Sequence, residues 1–267
     1  MKKRRESLLW ELAHPEIEGA SYVFGTMHVK SLSVVPCLDL VYQKIEHCAA
    51  FAAEFDLDDL HQAIDLSSFA LPDGMILSAL LPQKRYAKLK KNIYRATGID
   101  IALMEHSQPM LISNLIDEQM INQDTDLALD QQLWQFAKSL EKKMFGIETF
   151  AAQIEVLQQI PITSQVQSLW SIGRNLKQHR KNLLKMTTWY EQAAVTKLYL
   201  AVKKGLHDLR GLLLYQRNIV MARRIAEVAR QQTSFCAIGI AHLPGQKGVL
   251  RLLKKDGFKV KCLIVNE

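Results

Sequence analysis

Two short apolar runs, one near each end of the chain, finish in the same way. Ser21-Tyr-Val-Phe-Gly-Thr-Met-His28 and Ser234-Phe-Cys-Ala-Ile-Gly-Ile-Ala-His242 each read as a β-strand, then glycine, two residues and histidine. Apolar runs of this length bounded by turn residues are buried strands. A buried strand must hand its backbone hydrogen bonds to neighbours. The two runs are therefore expected in one sheet, which brings the ends of the chain together and confines the remainder to what lies between them.

The flanking text supports that closure. Leu8 to Ala13 is separated from Ser21 to Met27 by HPEIEGA, whose Pro15 and Gly19 suit a turn, so an antiparallel hairpin is expected. After Pro36, the spacing Leu38, Leu40, Val41, Ile45 predicts a helix, and Cys48 to Phe55 predicts a buried strand ending in Glu54 and Asp56. Strand, helix and strand in succession imply a parallel pair. At the far end, a strand over 234–240 leads through Pro244-Gly245 to a helix over 249–254, a stop at Gly257 and a last strand over 258–265. Between these parts the period is helical, broken at Pro72-Asp73-Gly74, Pro82, Gly98 and Pro109. The expected class is α/β (α+β): a central mixed sheet formed by the N- and C-terminal segments, with a large helical insertion. Residues 1–57 and 231–267 would be the halves of the sheet core. Residues 58–230 would be the mainly helical insertion, with a short strand near 143–147, all within a single domain over 1–267.

Composition narrows the function classes. Apolar residues make up 48% and charged residues 23% of the 267, and no window approaches the roughly 18 uninterrupted apolar residues of a membrane span. The basic start MKKRR is followed by an apolar run that meets Glu11 and His14 too soon for a signal peptide. A cytoplasmic location is expected for the chain as written, and export only if a leader has been removed. Cys37, Cys48, Cys236 and Cys262 are dispersed and read as buried thiols. The net charge of +7 is spread over helical segments with interleaved apolar positions, which describes solvated faces rather than a nucleic-acid groove.

Three polar residues stand at or just past expected strand ends: His28, Glu54 and His242. In parallel α/β sheets the ligand crevice lies beyond the carboxyl ends of the strands. Imidazole nitrogens and a carboxylate oxygen suit a borderline divalent ion, and three protein ligands leave room for water. Hydrolysis by a metal-activated water is the chemistry such a set performs. The glycine ahead of each histidine would let the backbone turn and a ligand approach. Taken singly, each histidine also reads as a hydrogen-bonded loop residue, and Glu54 as a partner of some cation. Glu148 follows the short apolar run and could be a further ligand, a general base or an N-cap partner. Arg217-Asn218 interrupts the apolar LLLYQRNIVMA, where a buried guanidinium needs an anion. Glu148, Asp130 and a substrate oxyanion are the candidates. His14, His47, His61, His106, His179 and His207 have no comparable setting.

Together, Leu9-Trp10, Tyr22-Val-Phe-Gly-Thr-Met-His28, Glu54, Gly146-Ile-Glu148-Thr149 with Gln153, Arg217-Asn218 and Gly239-Ile-Ala-His242-Leu-Pro-Gly245 resemble the TraB/PrgY/GumN family, in order and over nearly the whole chain. The resemblance implies an architecture similar to the erythromycin-esterase and ChaN-like folds. It also implies, through the family's TIKI branch, a metal-dependent peptidase that takes manganese, cobalt or zinc. Carried over by position, it implies His28, Glu54 and His242 as metal ligands, with Glu54, Glu148, Arg217 and Asn218 as the catalytic group and a peptide or protein as substrate. A protein that sequesters a peptide signal without cleaving it, and a small-molecule esterase-like hydrolase, are the alternatives.

Overall fold

The computed structural model describes residues 6–27, 29–59, 69–121 and 123–264. The chain forms two compact units: Met1–Gln62, Gln123–Gln153 and Thr187–Glu267 make one, and Ala63–Asn122 with Ile154–Met186 make the other.

The first unit holds a mixed six-stranded sheet. Its strands are β1 (Leu9–Ala13), β2 (Ser21–Thr26), β3 (Ala50–Ala53), β4 (Lys143–Gly146), β5 (Ser234–Gly239) and β6 (Lys259–Leu263), in the spatial order β4-β3-β5-β2-β1-β6. β1 and β2 form the expected antiparallel hairpin, and β6 closes that side antiparallel to β1. On the other side β2, β5, β3 and β4 all run parallel. The expected direct pairing of β2 with β3 does not occur, because the C-terminal strand β5 lies between them.

Burial explains that insertion. Five of the six residues of β5 are buried, as are all four of β3 and all six of β2. Strands this apolar on both faces belong in the interior of a parallel sheet. Lys259 and Lys261 keep one face of β6 exposed, which suits an edge. Phe24, Phe51 and Phe235 are wholly buried, and the Phe51 and Phe235 rings stack with centroids 5.9 Å apart. Each such ring contributes about 1.5–3 kcal/mol relative to an exposed one. Helix Leu38–His47 packs Val41 and Ile45 inward, and helix Val249–Lys255 ends before Gly257, whose φ of 95° suits a residue without Cβ. The sheet also draws β4 from the middle of the chain, beside β3.

The second unit is helical in its described residues and has its own core, including Leu77, Leu89, Ile93, Ile112, Ile116 and Leu169. Its breaks fall at the anticipated residues. A 3₁₀ turn occupies Pro72–Gly74, Pro82 precedes helix Gln83–Thr97, Gly98 ends that helix at φ 76°, and Pro109 opens helix Pro109–Met120.

Cys37, Cys48 and Cys236 are buried as expected, whereas Cys262, on the edge strand β6, is only half-buried. Burial pushes the Cys37 thiol up to about 11 and the Cys48 thiol up to about 12, so neither is ionised at neutral pH. Among the described residues no helix is long and apolar enough to cross a membrane.

Candidate active site

The parallel strands β3, β4 and β5 release their chains at one edge of the sheet, and the polar residues that follow them meet there. Glu54 comes directly after β3. The ladder continues past β4, with Ile147 N donating to Ala53 O at 2.9 Å and Glu148 N donating to Glu54 O at 2.7 Å. Two carboxylates are thereby held side by side, an arrangement that requires a cation.

Arg217 supplies it. Its Nη2 lies 2.8 Å from Glu54 Oε2 and 2.6 Å from Glu148 Oε2, and its Nε donates to both oxygens of Glu148 at 3.1 and 3.2 Å. The side chains of Glu148, Arg217 and Glu54 are 6%, 16% and 25% exposed. Of the partners the sequence left open for Arg217, the structure supplies Glu148 and adds Glu54. Of the pair Glu148-Thr149 expected to cap the next helix, Thr149 does so: its Oγ1 accepts from Ala152 N at 3.1 Å at the start of helix Phe150–Gln158. Gln153, one helical turn on, donates to Glu148 Oε2 at 3.2 Å and lies 3.5 Å from Glu54 Oε2. Sequence reasoning gave Gln153 no role of its own; an amide among the apolar neighbours of FAAQIEVL was the signal available.

Gly239, the last residue of β5, donates its N–H to Glu54 Oε1 at 2.6 Å. A Cβ there would sit 2.9 Å from that oxygen. The motif glycines were expected to permit a sharp turn, yet neither Gly25 nor Gly239 has a positive φ. Close approach is what they allow: the Glu54 carboxylate at Gly239, and the Ile240 side chain at Gly25, where a Cβ would meet it at 2.2 Å. Buried Tyr190, also unassigned from sequence, donates its hydroxyl to Gly25 O at 2.8 Å.

A 3₁₀ turn, Ile240–His242, follows Gly239 and directs His242 back toward Glu54. His242 is 6% exposed, with Nε2 4.0 Å from Glu54 Oε1 and Nδ1 2.6 Å from Asn218 Oδ1. Arg217 and Asn218 open helix Arg217–Gln231 immediately after a π-helical segment, Gly211–Gln216. Such wide turns are frequent at functional sites. Being consecutive, the two residues point in different directions, Arg217 to the carboxylates and Asn218 to the histidine. Asn218 Nδ2 donates to Lys247 O at 2.7 Å.

The electrostatics follow from these contacts. Burial opposes ionisation of Glu54, but His242, Arg217 and the Gly239 N–H together hold its carboxyl below the usual range. Burial lowers the His242 imidazole, aided by Arg217 and opposed by Glu54 and Glu148. Burial also works against the Arg217 charge, and its hydrogen bonds with Glu148 and Glu54 more than compensate.

Glu54, Glu148, Arg217, Asn218 and His242 are thus brought together. His28, the remaining expected ligand, lies outside the described residues, as does His61. His179 pairs with Asp117 in the helical unit, and the His14 ring packs on Phe258. A cavity of about 400 Å³ lies beside the loop after His242, bounded by Trp10, Val195, Leu243 and Leu250. It contains none of the five site side chains.

Among the described residues no three His, Cys, Asp or Glu side chains form a metal cluster. The donors present nevertheless fit a divalent ion chemically. His242 Nε2 and Glu54 Oε1, 4.0 Å apart, are a nitrogen and an oxygen donor of the types that bind divalent ions. Glu54 Oε2 accepts from Arg217, and Oε1 from the Gly239 N–H.

The sequence profile of the TraB/PrgY/gumN family matches residues 8–262. The chain belongs to this family. Its curated relatives include Metalloprotease TIKI2 of Danio rerio, 25% identical over 321 residues and covering 97% of this chain and 61% of the relative. Metalloprotease TIKI2 of Xenopus tropicalis is 24% identical over 317 residues, covering 96% and 59%. The chain therefore spans about three fifths of the length of these relatives. No solved structure matches it.

Proposed function

We propose that this TraB-family chain is a metal-dependent hydrolase that cleaves peptide bonds, with a divalent cation held by His242, Glu54 and His28. The observation that carries the reading is the 4.0 Å gap between a histidine nitrogen and a carboxylate oxygen at the end of a parallel sheet. When bound, manganese, cobalt or zinc supplies Lewis acidity to water and to a substrate carbonyl. Glu148 would assist proton transfer between water and the leaving amine or complete the coordination sphere. Arg217 holds the two carboxylates together through Nε and Nη2. With Asn218, it would orient a carboxylate or the substrate. Asn218 holds His242 in place.

A peptide library incubated with the purified chain and manganese, read by mass spectrometry, tests the proposal. Cleavage that requires the metal and is lost in both His242→Ala and Glu54→Gln supports it. Cleavage that survives either substitution, or recovery of bound peptides uncut, overturns it.

A further inference from the structure

The hydrogen bonds behind His242 determine which of its nitrogens carries the proton. The starting point is the Lys247 backbone carbonyl, which can only accept. The atom of the Asn218 amide that lies 2.7 Å from it must therefore be the NH2 group. The opposite orientation would press two carbonyl oxygens together. Asn218 Oδ1 consequently faces His242 Nδ1 at 2.6 Å, and since that oxygen can only accept, Nδ1 must bear the hydrogen. Nε2 lies 4.0 Å from Glu54 Oε1, too far to donate a hydrogen bond to it. In its neutral form the ring is then the Nδ1–H tautomer, with the Nε2 electron pair directed into the gap beside Glu54. Asn218 is 1% and His242 6% exposed, so water does not compete for these bonds.

We infer that Asn218, oriented by the Lys247 carbonyl, is a positioning residue that selects the Nδ1–H tautomer of His242 and so presents Nε2 as a cation ligand. The inference rests on the metal-site reading above for its purpose, but not for its geometry. The carbonyl is itself anchored. Lys247 places its ammonium 4.7 Å from the centre of the Tyr215 ring, in the π-helical segment that leads into Arg217 and Asn218. The turn that brings Lys247 back is also tight: a Cβ on Gly248 would lie 2.2 Å from Pro244 O and 2.5 Å from Leu243 O. One helix end therefore carries both the amide that orients the histidine and the platform for the residue that orients the amide. Residues behind metal-ligating histidines typically act in this way, and their loss costs about 10–100-fold in metal affinity.

The test is nitrogen-15 NMR of the metal-free full chain labelled at histidine, with the His242 signals assigned by their loss in His242→Gln. The expected result is a proton-bearing Nδ1 and a bare Nε2 in the wild type. In Asn218→Leu the preference should disappear, and zinc affinity by calorimetry should fall about 10–100-fold. A wild-type ring protonated at Nε2 overturns the inference, as does a folded Asn218→Leu that keeps the wild-type tautomer. If Asn218→Leu does not fold, the wild-type tautomer still decides. Because the tautomer is read without metal, a correct tautomer in a chain that binds no zinc overturns only the metal-site reading. A wrong tautomer with zinc bound overturns only this inference.

Discussion

Arg217 faces two carboxylates at once, and one of them, Glu148, is almost wholly buried. Removing one partner of a buried ion cluster leaves charge without compensation and costs about 3–5 kcal/mol. Urea unfolding of Arg217→Met should show a loss of that size. The double variant with Glu148→Gln should lose clearly less, since one stranded charge has gone with its partner. Equal losses in the two variants would mean that Glu148 is not the group Arg217 neutralises. Gly239 makes a second residue-level case. A methyl at position 239 would press on Glu54 Oε1, so Gly239→Ala should displace the carboxylate and reduce zinc affinity by calorimetry, while circular dichroism keeps its helix and strand content. Unchanged affinity in that variant would show that the Glu54 position is not set by the Gly239 backbone.

In the elements, the helical unit shows how one carboxylate ties short segments together. Glu105 accepts from Ser78 N at 2.9 Å and from the Tyr86 hydroxyl, joining the 3₁₀ segment Leu77–Leu80 to helix Gln83–Thr97. Burial works against its ionisation, but Tyr86 and Ser78 hold its carboxyl below the ordinary range. A carboxyl lowered by folding binds fewer protons in the native than in the unfolded state. Its stabilisation is present above the ordinary value near 4.3 and is lost as pH falls through the lowered folded value. Hydrogen exchange of amides in Gln83–Thr97 should therefore become faster below about pH 4.3 in the wild type. In Glu105→Gln the same amides should exchange faster already at neutral pH and show a flatter pH response after correction for intrinsic rates. Parallel pH profiles in the two proteins would remove Glu105 from the account.

On the scale of the whole molecule, all five described site side chains belong to the sheet unit, so a cation bound there should stabilise that unit. A ligand that binds only the native state adds about 2.7 kcal/mol at a hundred times its dissociation constant. Scanning calorimetry should show a manganese-dependent rise in one transition that chelator reverses and Glu54→Gln abolishes. A rise that survives Glu54→Gln would place the ion elsewhere. The positions of His242 and Glu54 were legible in the sequence, because each follows an apolar run whose end is marked locally, by Gly239 in one case and by the change to polar residues in the other. The turns of the helical unit were legible for the same reason, since proline and glycine act on their own dihedral angles. Strand order was not. Nothing local in Ser234–Gly239 says that it enters between β2 and β3, because parallel neighbours are chosen by burial on both faces against residues far away in the chain. The choice of Glu148 and Glu54 for Arg217, the Gly239 N–H on a carboxylate and the Lys247 carbonyl behind Asn218 follow from that assembly. Local pattern determined which residues stand at the ends of strands; only the packed sheet decided which of them face one another, because hydrogen bonds and ion pairs are satisfied in space and not along the chain.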